Sequence, residues 1–304
     1  MSAKATVAIV SPVKNEAPNL PALLRAVESQ THPLSLWVIV DDQSTDGGCD
    51  FLREHAGQIR NVEHVVVVRT EGLAGDYALG AKYAGVIARG FRAVREQEAA
   101  LGIKYDYIGI LDADCFVAAD YYERLLEKFV ALPKLGIASG YLEYVNGELR
   151  TRPRFSRRWP RGGIRLWRAE CLDEAGYFMV KSADAVSCAS AWLKGWQSQA
   201  FPDATGETRS VGVRSDPLYY GRAAYFNFVP IYHILLKCAL DAATGEVALA
   251  RNSLRGYMQA RQQGERAAIP AKVQWYFRLL PFHSARESAI VLMNHLKLKL
   301  RRGR

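Results

Sequence analysis

Two carboxylates, Asp112 and Asp114, flank one alanine at the end of a short apolar run over 107–111. At positions i and i+2 of an extended chain they project on the same side. Such a pair can share a divalent cation, Mg²⁺ or Mn²⁺, whose other ligands are phosphate oxygens. The same residues also read as a polar strand end with two solvated acids. A second acidic pair, Asp41 and Asp42, closes the run 36–40 and enters the polar turn Gln43-Ser44-Thr45-Asp46-Gly47-Gly48. An aspartate there can accept hydrogen bonds from a base or ribose, or it can belong to an Asx-turn with Thr45 or Asp46 capping the next helix. The third group, Ser11-Pro12-Val13-Lys14-Asn15-Glu16, leaves the first apolar run. Its spacing is neither GxGxxG nor GxxxxGK[ST], which counts against an NAD enzyme and a P-loop ATPase.

The elements that must position these groups alternate. Apolar runs at 6–10, 36–40, 62–68 and 107–111 read as buried strands, and helical spacing fills the gaps between them. Leu20, Leu23, Leu24 and Val27 share a helical face behind Asn19, a cap candidate. A short helix runs through Phe51, Leu52 and His55, and a long one over about 76–100. Repeated strand–helix alternation implies a mostly parallel α/β sheet, with ligands bound beyond the carboxyl ends of its strands. Both acidic pairs sit at such ends. After residue 135 the pattern changes: a hairpin turns at Asn146-Gly147, helices follow at about 169–175 and 184–194, and 202–217 reads as a mobile loop. The remainder is mainly helical.

In order, Val-Ala-Ile-Val-Ser-Pro-Val-Lys-Asn-Glu, Val-Asp-Asp-Gln-Ser-Thr-Asp-Gly and Leu-Asp-Ala-Asp resemble the family 2 glycosyltransferases of GT-A fold, over about residues 5–200. The resemblance implies an inverting transferase that takes a sugar from a nucleotide-diphosphate donor such as a UDP- or GDP-sugar. It implies that Pro12, Val13, Asn15, Glu16, Asp42 and Asp112 meet the nucleotide, and that Asp112 and Asp114 hold the metal on the diphosphate. Asp184 aligns with the catalytic base: Gly176-Tyr177-Phe178 precedes it and Gly195 follows eleven residues on, although Ala183 replaces the usual acidic predecessor. As the first-turn residue of a helix, Asp184 is also explained by the helix dipole alone. Gly163, Trp167 and Arg168 fall where relatives shape the acceptor pocket. Lys82, where relatives carry glycine, is either a phosphate ligand or a solvated helix lysine. The Gln-x-x-Arg-Trp motif of polymerising relatives is absent.

The implied organisation is a GT-A domain over 1–240, with a nucleotide half at 1–115 and an acceptor half at 116–240, and a helical extension over 241–304. The acceptor class is a hydroxyl or phosphate on a glycan or lipid-linked molecule. A nucleotidyltransferase, which would need a glycine-rich loop after the first strand, and an inactive nucleotide- or glycan-binding module are the alternatives. His233 is a candidate third metal ligand or a core histidine. Forty Lys and Arg against 31 Asp and Glu give a net charge of +9 over 304 residues, which favours anionic partners. The basic residues follow no nucleic-acid-binding motif, and nucleic acid is not an expected partner. Five scattered cysteines suggest reduced thiols and a cytoplasmic setting. The basic, amphipathic stretch 285–302 could rest peripherally on the inner face of a membrane.

Overall fold

The computed structural model describes residues 4–71, 80–147, 149–151, 156–209, 217–243, 245–264, 266–280 and 282. Two compact units divide at 214/215, earlier than the boundary at 240 expected from the sequence. The expected helical stretch 285–302 lies outside the described residues, as does the start of the long helix at 76–79.

The first unit opens with β1 (Val7–Val13), α1 (Leu20–Glu28), β2 (Leu34–Asp41), α2 (Gly48–Ala56), β3 (Val62–Arg69), α3 (Ala81–Leu101) and β4 (Tyr107–Ile110). Strands β3, β2, β1 and β4 are neighbours in that order and all parallel. Both faces of this sheet are covered, which explains why β1 is buried throughout and apolar at every position but Ser11, whose hydroxyl accepts from Trp37 Nε1. Val7, Ile9 and Val13 point into a core shared with Leu20, Leu23 and Val27 of α1. Ala8 and Val10 point into the opposite core, with Val86, Ile87 and Val94 of α3.

The sheet then reverses. It continues through β5 (Cys115–Val117), α4 (Tyr121–Ala131), β6 (Leu135–Asn146), β7 (Leu149–Thr151), β8 (Arg165–Arg168), α5 (Ala169–Ala175), α6 (Ala183–Leu193) and β9 (Gln197–Arg209). Strand β8 lies antiparallel against β4, β6 antiparallel against β8, β9 parallel to β6, and β5 antiparallel to β9. The result is a curled mixed α/β sheet between helices. Because β8 runs against β4, its amino end meets the carboxyl end of β4. The residues just before β8 are thereby carried to the edge where Asp112 and Asp114 emerge.

Residues 202–209, read from composition as loop, are strand. Thr205–Arg209 pairs with β6 and Gly206–Thr208 also with β5, while Pro202 and Asp203 fall in the register shift between Ala200 and Thr205. Two ladders outweigh the poor strand propensity of Gly206. The remaining loop residues, 210–216, lie outside the described set.

The second unit holds α7 (Tyr219–Phe226), α8 (Ile231–Ala243), α9 (Val247–Gln263) and α10 (Ala271–Arg278). Helices α7 and α9 cross at glycines. A Cβ on Gly221 would fall 1.8 Å from the Ser253 carbonyl oxygen, and one on Gly256 2.2 Å from that of Leu218. No described helix is long and apolar enough to cross a membrane.

Candidate active site

The loop after β1 and the loop after β2 are stitched together. Asn15 donates its backbone N–H to Ser44 Oγ (3.0 Å) and accepts at Oδ1 from the Thr45 N–H (2.8 Å). Asp46 accepts from the Ala17 and Gly48 N–H groups, so it anchors the turn and the start of α2 together. Lys14 Nζ donates to the carbonyls of Asp42 and Gln43. Asn15, Gln43 and Ser182 all adopt left-handed backbone, at φ near +52°, +57° and +58°. Such conformations cost about 1–3 kcal/mol and cluster where a surrounding scaffold over-determines them.

Pro12 and Val13 are buried in the strand beneath these loops. The Val13 side chain belongs to the core, and its carbonyl accepts the Asp42 N–H at 2.8 Å. Neither side chain is exposed at the surface. They support Asp42 from below. Asn15 and Glu16 are at the surface, and Glu16 Oε2 accepts from the Asn19 amide at 2.5 Å.

Asp42 is 1% exposed. Its Oδ1 accepts from the Thr70 hydroxyl at 2.7 Å, and Lys82 Nζ lies 3.2 Å from Oδ2. Lys82 is therefore not a solvated helix lysine. It is a largely buried cation that neutralises Asp42. Beside them, Gln43, Thr45, Arg69, Thr70 and Glu71 line an open depression of about 540 Å³.

One residue further along α3, the Tyr83 hydroxyl donates to Asp112 Oδ1 at 2.6 Å. Asp112 also donates its N–H to the Gly163 carbonyl at 2.7 Å. The first turn of α3 thus ties both acidic strand ends, Asp42 through Lys82 and Asp112 through Tyr83. Sequence reasoning missed Tyr83 and Thr70. Their only signal was proximity to Lys82 and to the end of β3.

Asp112, Asp114 and Cys115 bring one candidate ligand atom each within 4.8 Å of one another, the sole such grouping among the described residues. Burial, then the neighbouring Asp114 and Glu16 charges, push the Asp112 carboxyl up to about 7, against the opposing hydrogen bond from Tyr83. Burial and the same two aspartates drive the Cys115 thiol far upward, so it stays protonated. The available donors are therefore carboxylate oxygens, which suit a hard cation such as Mg²⁺ or Mn²⁺ rather than a thiolate-seeking metal. His233 lies on α8 of the second unit. Burial and nearby Lys237 hold its imidazole below the ordinary range.

The raised Asp112 carboxyl has a measurable consequence in metal-free protein. Between pH about 4 and 7 the folded chain keeps a proton on Asp112 that the unfolded chain releases, so stability falls as pH rises through that window and levels off above it. Chemical denaturation in chelator across pH 4.5–8 is expected to show this decline. The Asp112→Asn variant is expected to lack that component, and an unchanged slope would contradict the assignment.

Gly162 and Gly163 connect the acidic pair to Asp184. A Cβ on Gly163 would fall 2.1 Å from Asp112 Oδ2, whereas one on Gly162 would lie 3.9 Å from Asp184 Oδ2. Consecutive Cα atoms are about 3.8 Å apart, so with the two Cα–Cβ bonds the carboxylates stand no more than about 13 Å from each other across this dipeptide. Asp184 is exposed in the first turn of α6. Its Oδ1 accepts from the Ala185 N–H, and its carbonyl accepts from Arg165 Nη1 at 2.8 Å. Ser182 launches the helix with its left-handed backbone, and Ala183 is buried behind it. Tyr177 also senses both acids: burial raises its hydroxyl first, then Asp184, with Asp112 adding to it.

Two expected acceptor residues are placed elsewhere. Trp167 is 1% exposed and packs edge-on against Phe91 and Tyr177 in the core beneath α3. Arg168 stands opposite Tyr107, at the amino end of β4, away from the Asp112 edge. Its guanidinium donates to the Phe129 carbonyl at 2.9 Å and lies over the Phe129 and Tyr107 rings. Alternation along β8 dictates both outcomes: the strand is interior, so a side chain there faces core or partner backbone. Gly163 alone of the three is at the site, and it acts through the absence of a side chain.

Residues 8–86 match the family described as Glycosyl transferase family 2. No curated protein matches the chain. Among solved structures, S. aureus TarS 1-349 in complex with UDP superposes with a TM-score of 0.51 at 12% identity, over 72% of this chain and 63% of that one. The chain thus spans less than two thirds of that TarS fragment. The mannosyltransferase PcManGT from Pyrobaculum calidifontis, in complex with GDP-Man and Mn2+, gives 0.51 at 17% identity, over 96% of this chain and 81% of that one. The profile match over residues 8–86 thus makes that segment similar to glycosyl transferase family 2, and the likeness to these solved structures shows that the chain has the GT-A fold.

Proposed function

We propose that this chain is a metal-dependent, inverting glycosyltransferase that moves a sugar from a nucleotide-diphosphate donor to a hydroxyl or phosphate of a glycan or lipid-linked acceptor. The observation that carries the reading is the convergence of Asp112 and Asp184 on either side of Gly162-Gly163. We assign the donor to the loops after β1, β2 and β4, and the acceptor to the side of Asp184. Neighbours of the same fold bind UDP-GlcNAc in one case and GDP-Man with Mn2+ in another, which is compatible with a UDP- or GDP-sugar.

A hydroxyl is a weak nucleophile until it loses its proton. Asp184 Oδ1 is engaged by the Ala185 N–H, and Oδ2 faces Gly162, so Oδ2 is the oxygen that receives the acceptor proton. The acceptor oxygen bonds to the anomeric carbon as the bond from that carbon to the diphosphate breaks, on the opposite face. The anomeric centre inverts without a covalent sugar–enzyme intermediate. A divalent cation held by Asp112 and Asp114 would neutralise charge on the departing diphosphate. Tyr83 orients Asp112 for that task, and Lys82 pairs with the buried Asp42 that we assign to the nucleoside side.

Thermal-shift titration tests the donor assignment. A ligand bound only by the folded chain stabilises it by about 2.7 kcal/mol at a hundred times its Kd. UDP- or GDP-sugar with Mn²⁺ is expected to raise the melting temperature of the wild type. The increment that depends on Mn²⁺ is expected to vanish in Asp114→Ala. If neither nucleotide class shifts the wild type, the donor reading fails.

A further inference from the structure

Helix α8 in the second unit buries Ile234 but turns most of its large apolar side chains outward. Tyr232, Leu235, Leu236 and Leu240 are between 50% and 60% exposed, and the exposed Ala239 and Ala243 extend the same face. At 100° per residue these six positions form one stripe roughly 140° wide. The opposite side is anchored by Ile234, 4% exposed, and the flank between carries His233 and Lys237, whose ammonium donates to Asp241 Oδ2 at 2.5 Å. A contiguous apolar face turned outward marks a docking surface.

Charge shows which surface. Residues 215–304 hold fourteen of the forty Lys and Arg but only five of the 31 Asp and Glu, while residues 1–214 hold twenty-six of each. The entire excess of +9 therefore belongs to the unit that carries α8. Arg251 and Arg255 of α9 and Lys272 and Arg278 of α10 are among its exposed cations. On α10 and just beyond it, Trp275, Leu279 and Phe282 are 58%, 43% and 64% exposed, with the Arg278 guanidinium 5.0 Å from the Trp275 ring centre.

We propose that the second unit docks on the surface of an anionic phospholipid bilayer through the outer face of α8. The thirteen residues of α8 extend about 20 Å, short of the roughly 30 Å hydrocarbon thickness, so the helix lies in the interface rather than across it. Leucine side chains enter the acyl boundary, Trp275 suits the headgroup level, and the basic residues are drawn to anionic headgroups. A second copy of this chain fits less well, because it would bring two strongly cationic units together. This docking surface is independent of the donor chemistry in the first unit.

Sedimentation of the full-length protein with vesicles tests it, using phosphatidylcholine alone and phosphatidylcholine with phosphatidylserine. Wild type is expected to partition onto the anionic vesicles, less so at high salt, and weakly onto the neutral ones. L235E/L236E is expected to lower that partitioning at least about tenfold, since two inserted apolar groups become charged. Its circular dichroism melt is expected to match the wild type, because both residues are exposed. V130E, at a 79% exposed position on α4 of the first unit, is the matched control and is expected to bind normally. Three results would overturn the proposal: no binding of wild type to anionic vesicles; undiminished binding of L235E/L236E; or a wild-type dimer that L235E/L236E converts to monomer.

Discussion

Replacing Asp184 by asparagine is expected to lower turnover by about 10²–10⁴-fold, the usual worth of a positioned general base, while leaving donor affinity nearly unchanged. Asparagine matches the carboxylate in shape and can still accept from the Ala185 N–H through its carbonyl oxygen. It cannot take the acceptor proton. The loss should therefore appear in kcat, with the Mn²⁺-dependent thermal shift retained. Donor hydrolysis, with water in place of the acceptor, gives a readout that does not require the acceptor's identity. Asp184 is exposed and outside both cores, so a stability change is not expected to confound the result. Wild-type turnover in Asp184→Asn would remove it from the mechanism and leave its position explained by the helix dipole alone.

The parts of the site that could be read in advance share one property: local chain logic places them. Asp42, Asp112 and Asp114 each follow an apolar run that can only be an interior strand, and parallel strands put their carboxyl ends on one edge. The turn chemistry of Asn15, Asp46 and Gly47 follows from the same local rules. What could not be read depends on contacts between distant segments. Lys82 is largely buried because α3 starts beside Asp42, an acid forty residues earlier. Trp167 and Arg168 fall in the sequence where relatives shape the acceptor pocket. Only the pairing of β8 between β4 and β6 sends one into the core and the other to the opposite edge. Strand β9 shows the same limit, since its Gly, Asp and Pro signal a loop, yet a ladder on each side holds Gly206–Thr208 extended and carries Pro202 and Asp203 as an irregularity. In every one of these cases tertiary pairing outweighed composition.

Gly163→Ala is expected to be far more damaging than Gly162→Ala, although the substitutions are identical and adjacent. The added methyl at 163 would sit 2.1 Å from Asp112 Oδ2 and 2.7 Å from its Cγ, well inside contact distance. The backbone cannot simply back away, because the Gly163 carbonyl accepts the Asp112 N–H at 2.7 Å. Nor can the carboxylate turn at no cost, because its other oxygen is held by Tyr83. The strain resolves by expelling Asp112 from its position or by opening the β4–β8 junction. Overpacking of this kind typically costs about 1–3 kcal/mol of stability, and a carboxylate displaced by about 1 Å can cost on the order of 10²-fold in rate. At 162 the nearest atom to the new methyl is Asp184 Cβ at 3.7 Å, an ordinary van der Waals contact, so turnover should stay within a few-fold of wild type. Donor hydrolysis and the Mn²⁺-dependent melting shift, measured on both variants, separate the two positions. Equal losses in both would show that the dipeptide matters for flexibility rather than for the close approach of Asp112, and the steric argument for how the acidic edge is assembled would fail.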